Sequence, residues 1–332
     1  MVLFSQKPSP PQKPWALIIA GPTCSGKSAL ALHLAHHLDG IIINADAMQC
    51  YKDLRIITAR PSISDEQQIP HRLYGILAGN QIGNTAWWRE QALQMLEFCW
   101  KEKKLPILCG GTGMYFHALI HGIAIIPEPS TEAREEARSR VAHEGPEILY
   151  QALRKHDPET AIRINPTDSQ RIARAWEVWR STGHGLRYWQ QQPALPGADC
   201  QFTALRLDPP RPLLHQAITD RFKQMIALGA CEEVKQFLER DPPLESPLRR
   251  AHGVPEISHY LKQEITLDEA IDQAIINTKR YVKRQSTWFK HHKLASDLYN
   301  YIFNSKFDNS TQYSKSFLEK YLPFIRNLID GR

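Results

Sequence analysis

Gly21-Pro22-Thr23-Cys24-Ser25-Gly26-Lys27-Ser28 follows the apolar run Trp15-Ala16-Leu17-Ile18-Ile19-Ala20 and leads into Ala29-Leu30-Ala31-Leu32-His33-Leu34. The order G-x-x-x-x-G-K-S between a strand and a helix is that of a P-loop, in which backbone amides and a helix N-terminus cradle phosphate oxygens. Lys27 would place a point charge on the terminal oxygens, and the Ser28 hydroxyl is set to ligate magnesium. The loop by itself fits ATP as well as any other diphosphate-bearing ligand.

Asp46 follows Ile41-Ile42-Ile43-Asn44-Ala45, so a carboxylate stands at the carboxyl end of a second buried strand, where open α/β sheets hold their ligands. Three roles are open to it: magnesium ligand, general base toward an attacking nucleophile, or cap of the next turn. Gly110-Gly111-Thr112-Gly113 follows a third apolar run, Pro106-Ile107-Leu108-Cys109. Such a turn serves either a ligand or close packing. Arg221 shares a helical stretch with Phe222 and Met225; it either clamps phosphate oxygens or lies on a solvated face.

Cations concentrate in one place. The net charge is +6, and residues 277–293 carry Lys279, Arg280, Lys283, Arg284, Lys290 and Lys293 without one acid. Lys279 with Lys283 and Arg280 with Arg284 are i, i+4 pairs, so like charges crowd one face of a helix, a cost that a polyanion would relieve. Tyr281, Trp288 and Phe289 interleave with them and could stack on unpaired bases or belong to the core. A second basic stretch is Gln170-Arg171-Ile172-Ala173-Arg174.

The elements that must position these groups alternate strand and helix up to about residue 127, which implies an α/β fold: a P-loop NTPase-like parallel sheet core. After Pro127 and Pro129 the signals are helical, with Ser130-Thr131-Glu132 and Asp157-Pro158 as starts. An inserted all-helical subdomain is expected over 128–198. A strand-like run, 202–207, then resumes the core, followed by a helix over 213–228 and another that starts at the capping box Thr266-Leu267-Asp268-Glu269. The expected divisions are a mobile proline-rich tail at 1–14, core at 15–127, insertion at 128–198, core completion with the basic helix at 199–294, and a C-terminal tail at 295–332. Six scattered cysteines without a C-x-x-C pair point to free thiols in a reducing compartment. With no apolar run long enough to span a bilayer and no cleavage site after the first apolar run, a cytoplasmic protein without a membrane partner is expected.

Taken in order, several motifs resemble the isopentenyl-tRNA transferase family, the bacterial tRNA dimethylallyltransferases. They are the loop at 21–28, Asn44-Ala45-Asp46-Ala47-Met48-Gln49-Cys50-Tyr51, Thr58-Ala59-Arg60-Pro61, Pro70-His71-Arg72-Leu73 and Gly110-Gly111-Thr112-Gly113-Met114-Tyr115-Phe116. Asn165-Pro166-Thr167-Asp168-Ser169 with the basic stretch at 170–174, Arg221-Phe222 and Lys283-Arg284-Gln285-Ser286-Thr287-Trp288 follow. The resemblance spans about residues 17–289. It implies transfer of a dimethylallyl group from dimethylallyl diphosphate to the exocyclic N6 amine of adenosine 37, 3′ of the anticodon, in tRNAs reading codons that begin with U. Pyrophosphate would be released.

By the same resemblance, Asp46 is the general base, Thr23 and Arg221 stabilise the departing pyrophosphate, and Gly21, Pro22, Thr23, Cys24, Ser25, Gly26, Lys27 and Ser28 hold it, with Ser28 on the side of Mg2+. The anticodon stem-loop would meet Asp46, Ala47, Met48 and Gln49, then Thr112 and Arg134, then Gln170, Arg171, Ile172, Ala173 and Arg174, and finally Lys279, Arg280, Lys283 and Arg284. A loop at 250–255 is a further expected contact, and a monomer is the expected state. Two positions depart from the family pattern: Ala47 stands where Ser is usual, and His252-Gly253-Val254-Pro255 stands where many members have Gly-Tyr followed by Lys or Arg.

Rival readings are a small-molecule kinase, an adenylate isopentenyltransferase acting on free nucleotides, and a nucleotide-gated RNA-binding switch. The first shares the loop and Asp46. The second has no use for the two basic stretches, and the third finds no guanine-selectivity motif.

Overall fold

The computed structural model describes residues 13–308 and 312–330. Three strands are buried along their whole length: β1 (Trp15–Ala20), β2 (Gly40–Asn44) and, after the two-residue β3 (His71–Arg72), β4 (Leu105–Gly110). Continuous apolar runs of this kind suit strands covered by helices on both faces. Two further two-residue strands are β5 (Ile123–Ala124) and β6 (Ala194–Leu195); β7 (Gln201–Leu207) and β8 (Asn300–Phe303) complete the set.

The main sheet has the order β3-β2-β4-β1-β7-β8 with every pair parallel. Its register sets Ala20 beside Gly110 and Arg206, and Asn44 beside Cys109. The loops that follow β1, β2 and β4 therefore leave the sheet together at the carboxyl ends of its strands, which is where the P-loop, Asp46 and the 110–113 turn lie.

The C-terminal stretch departs from the sequence expectation. Residues 295–332 are not a bare tail: β8 adds the last strand to the sheet, Phe307 is buried in one core with Leu17, Leu30, Ile107 and Leu205, and a helix follows over Gln312–Asp330. The expected mobile tail at 1–14 lies outside the described residues up to residue 12. Lys13 pairs with Asp199 at 2.6 Å, and the Pro14 carbonyl accepts from Gln201 N at 2.8 Å.

The basic segment forms part of a 25-residue helix, Leu267–His291. Thr266 opens it with the expected capping box, its hydroxyl accepting from Glu269 N at 3.2 Å while the Glu269 carboxylate accepts from Thr266 N at 2.8 Å. Ala270, Ala274, Thr278, Val282, Gln285 and Phe289 form the buried stripe. Their three- and four-residue spacing turns Arg280, Lys283 and Arg284 outward.

The chain forms two compact units, one of residues up to 120 and from 198 onward, the other of residues 121–197. The second unit has its own core, with Ala137, Leu149, Leu153, Ile164, Ile172 and Trp176 buried between helices Thr131–His143, Pro146–His156 and Ser169–Thr182. Ser130 and Asp157 cap helices there, as their types foretell. It is not wholly helical: β5 and β6 pair antiparallel, Ile123 opposite Leu195.

Candidate active site

The P-loop joins β1 to the helix Lys27–His37. Gly26 takes a left-handed φ of 94°, and a Cβ there would stand 2.2 Å from the Phe307 carbonyl oxygen. Only glycine fits that approach. Phe307 N donates to Ser25 O at 3.0 Å, so the segment after β8 braces the loop. Lys27 Nζ donates to Pro22 O at 2.7 Å, folding the ammonium back over the loop. Burial pulls the pKa of Lys27 below the ordinary lysine value, and the Arg221 charge adds to this while Cys109 and Asp46 oppose it. Ser28 lies exposed on the first helical turn.

Arg221 comes to the loop from the helix Arg211–Ala227, with Nη1 3.6 Å from Cys24 Sγ. Arg221 is thus half-buried against the loop and does not lie on a fully solvated face. Cys24 itself is held at φ 67°, an uncommon conformation for a residue with a side chain.

Asp46 sits on a scaffold of short-range bonds. Fully buried Asn44 accepts from Asp46 N at 2.8 Å and donates to Asp46 O at 2.9 Å and Leu73 O at 3.1 Å. Trp88 Nε1 in turn donates to Asn44 O at 2.8 Å. One Asp46 carboxylate oxygen accepts from Met48 N at 3.0 Å, so the capping role is real. That bond uses a single oxygen and leaves the other for a ligand or a proton. The next residue is held by the turn after β4: Ala47 N donates to Thr112 Oγ1 at 3.0 Å, and Thr112 N donates to Ala45 O at 3.1 Å. The glycine-rich turn therefore packs directly against the backbone on both sides of Asp46.

The residues expected to face tRNA divide. Arg280, Lys283 and Arg284 are exposed, Lys279 is half-buried, and none of the four forms an ion pair among the described residues. Arg284 lies over the Tyr281 ring, 5.6 Å from its centroid, and Arg280 Nη1 donates to Asn277 Oδ1 at 3.4 Å. Gln49 is committed inward, with Nε2 donating to Thr58 O and Ala59 O. Ala47 and Met48 pack against the main core. In the loop at 250–255, His252 packs against Tyr281, ring centroids 4.7 Å apart.

Within the second unit, Arg134 pairs with Glu128 at 2.6 Å, Arg171 with Asp168 at 3.5 Å and Arg174 with Glu177 at 3.6 Å. Gln170 is exposed and Ala173 partly buried. Ile172 is fully buried in that unit's core, so its side chain secures the helix and does not face outward.

Two residues of the site escape the motif reading. Gln285 accepts from Thr23 N at 2.9 Å and donates to Gly111 O at 2.9 Å. Phe307 braces the P-loop as described. The glutamine lies within Lys283-Arg284-Gln285-Ser286-Thr287-Trp288, but nothing in its type reveals a partner 262 residues away.

Comparison with known proteins agrees with this geometry. A model of the IPP transferase family matches residues 49–292. A tRNA dimethylallyltransferase of Gluconobacter oxydans is 51% identical over 318 residues, 95% of this chain and 95% of its own length. One from Granulibacter bethesdensis is 51% identical over 94% of this chain and 98% of its own. Among solved structures, the tRNA isopentenylpyrophosphate transferase of Bacillus halodurans superposes with a TM-score of 0.64 at 28% identity, covering 96% of each chain. A eukaryotic dimethylallyltransferase acting on tRNA gives 0.77 at 25% identity, over 96% of this chain and 80% of that one. With a family model spanning more than half its length and near full-length relatives at half identity, the chain belongs to the IPP transferase family.

Proposed function

We propose that this enzyme transfers the dimethylallyl group of dimethylallyl diphosphate to N6 of adenosine 37 in tRNAs reading codons that begin with U, releasing pyrophosphate, as a monomer in the cytoplasm. One observation carries the reading: one glycine-rich turn ties both sides of the site, since Thr112 bonds the backbone on either side of Asp46 and Gln285 bridges Gly111 to Thr23 of the phosphate cradle. A base and a leaving-group site held on one frame suit a displacement between two substrates. No helix among the described residues is long and apolar enough to cross a membrane.

The adenine amine is a poor nucleophile, so Asp46 takes its proton as the new N–C bond forms and the C–O bond to diphosphate breaks. Lys27, Arg221, Thr23 and the loop amides receive the charge that builds on the departing oxygens. Mg2+ takes few protein ligands and fills its shell from phosphate oxygens and water. The exposed Ser28 hydroxyl is the residue to hold it, and when bound the ion supplies charge neutralisation on the leaving group. Arg134, Gln170, Arg171 and Arg174 in one unit and Lys279, Arg280, Lys283 and Arg284 in the other contact the RNA backbone.

Mass analysis of an anticodon stem-loop incubated with protein, magnesium and dimethylallyl diphosphate should show one dimethylallyl group added, and none when adenosine 37 is replaced. Rapid ATP turnover with no transfer to RNA would return the site to the kinase reading.

A further inference from the structure

Gln285 shares a helix with Lys283 and Arg284, yet it faces the opposite way and is only 5% exposed. A carboxamide offers a donor and an acceptor at fixed separation, and here both are used on different loops. Oε1 takes the Thr23 N–H of the phosphate cradle; Nε2 gives to the Gly111 carbonyl of the turn after β4. Glycine at 111 is what permits this, because a Cβ there would lie 2.3 Å from Nε2.

The turn continues the connection. Thr112 binds Ala47 N and Ala45 O on either side of Asp46. One helical turn beyond Gln285, Trp288 covers the same segment so closely that a Cβ on Gly113 would meet its ring at 2.3 Å. The face of the helix that lies inward is thus docked on the turn, while the cations on its outward face form no ion pair among the described residues. Any shift of this helix that favours RNA phosphates on the outer face moves a side chain bonded directly to Thr23.

We propose that Gln285 is a positioning residue that couples RNA occupancy of the Lys283–Arg284 face to the geometry of the diphosphate cradle, so that the two substrates bind cooperatively. The inference rests on the function proposed above. It adds a reciprocal link: each ligand tightens the other by the same factor.

The measurement is the affinity of magnesium pyrophosphate with and without a saturating anticodon stem-loop, by calorimetry, on the full chain. The wild-type protein should bind it about fivefold or more tightly with the stem-loop present, the lower end of ordinary coupling. Gln285→Met keeps the shape but has neither bond to offer, and should bring that ratio below twofold. Gln285→Glu adds an internal control, because a protonated carboxyl again has one donor and one acceptor. Its ratio should recover at pH 5.5 relative to pH 8, while the wild-type ratio stays level, and this comparison within one variant stands even if Gln285→Met does not fold.

A wild-type ratio near one, a Gln285→Met ratio equal to wild type, or a Gln285→Glu ratio that ignores pH would each overturn the coupling. Wild-type transfer to the stem-loop, run alongside, separates the two failures: transfer without coupling removes only the role of Gln285, whereas absence of transfer removes the proposed reaction.

Discussion

The cap observed at Asp46 and the base role proposed for it fall on different oxygens of one carboxylate. One oxygen caps the turn at Met48, and the backbone around it is fixed by Asn44 and Thr112. Asparagine retains an acceptor for Met48 N but cannot take a proton from an amine. Asp46→Asn should therefore leave stem-loop affinity within a few-fold of wild type and lower transfer by orders of magnitude, read as single-turnover rate against filter-bound RNA. Unchanged turnover would remove the base role. Lys27 gives a test in pH. Its ammonium titrates below the ordinary lysine value because it is buried, and a bound diphosphate favours the charged form, so binding takes up a proton above that pKa. Pyrophosphate affinity should accordingly fall on the alkaline side. Arginine stays protonated throughout, so Lys27→Arg should move that fall to higher pH; identical profiles for the two proteins would show that another group sets the limb.

At the scale of elements, the phosphate cradle is completed by chain from the far end of the sequence. The ring of Phe307 is fully buried beside Leu30 and Leu205, and its backbone bonds Ser25 and abuts Gly26. Phe307→Ala should cost about 3–5 kcal/mol in urea unfolding, as for other buried phenylalanines, and should weaken pyrophosphate binding in the fraction that folds. Ile302 on β8 is 49% exposed, so Ile302→Ala is the control and should change stability by less than about 0.5 kcal/mol. These contacts also show where sequence reading stops. The P-loop, the three buried strands, the Thr266 and Ser130 caps and the basic helix face are local patterns, set by neighbours within a turn or a strand, and they were readable. β8 is four residues long, opens on an asparagine and has a single buried position, too little to distinguish from loop. Gln285 and Phe307 acquire their roles only when the tertiary fold brings residues from opposite ends of the chain to the carboxyl ends of the strands, a fact no local period encodes. Arg221 lay between: its position in a motif marked it, but its approach to Cys24 needed the fold.

For the whole molecule, the two units divide charge and core in a way that can be separated by experiment. The excess of six positive charges equals the count of cations in residues 277–293, all in the unit with the phosphate cradle. Stem-loop affinity should fall steeply with salt, and Lys283→Ala should flatten the slope of log affinity against log salt by about one. The other unit has its own buried cluster around Ile172 and Trp176, and the chain enters and leaves it at adjacent points, since Ala198 N donates to Leu119 O at 2.8 Å. That bond and the sheet lie wholly outside residues 121–197. Replacing 121–197 by a short Gly/Ser linker should thus leave a core that unfolds in one cooperative step by calorimetry, because closing so short a gap adds little chain entropy. Such a core should still bind magnesium pyrophosphate within a few-fold of the intact chain. It should lose transfer to the stem-loop together with Arg134, Gln170, Arg171 and Arg174, and full transfer by the shortened chain would show that the second unit has no part in holding the RNA.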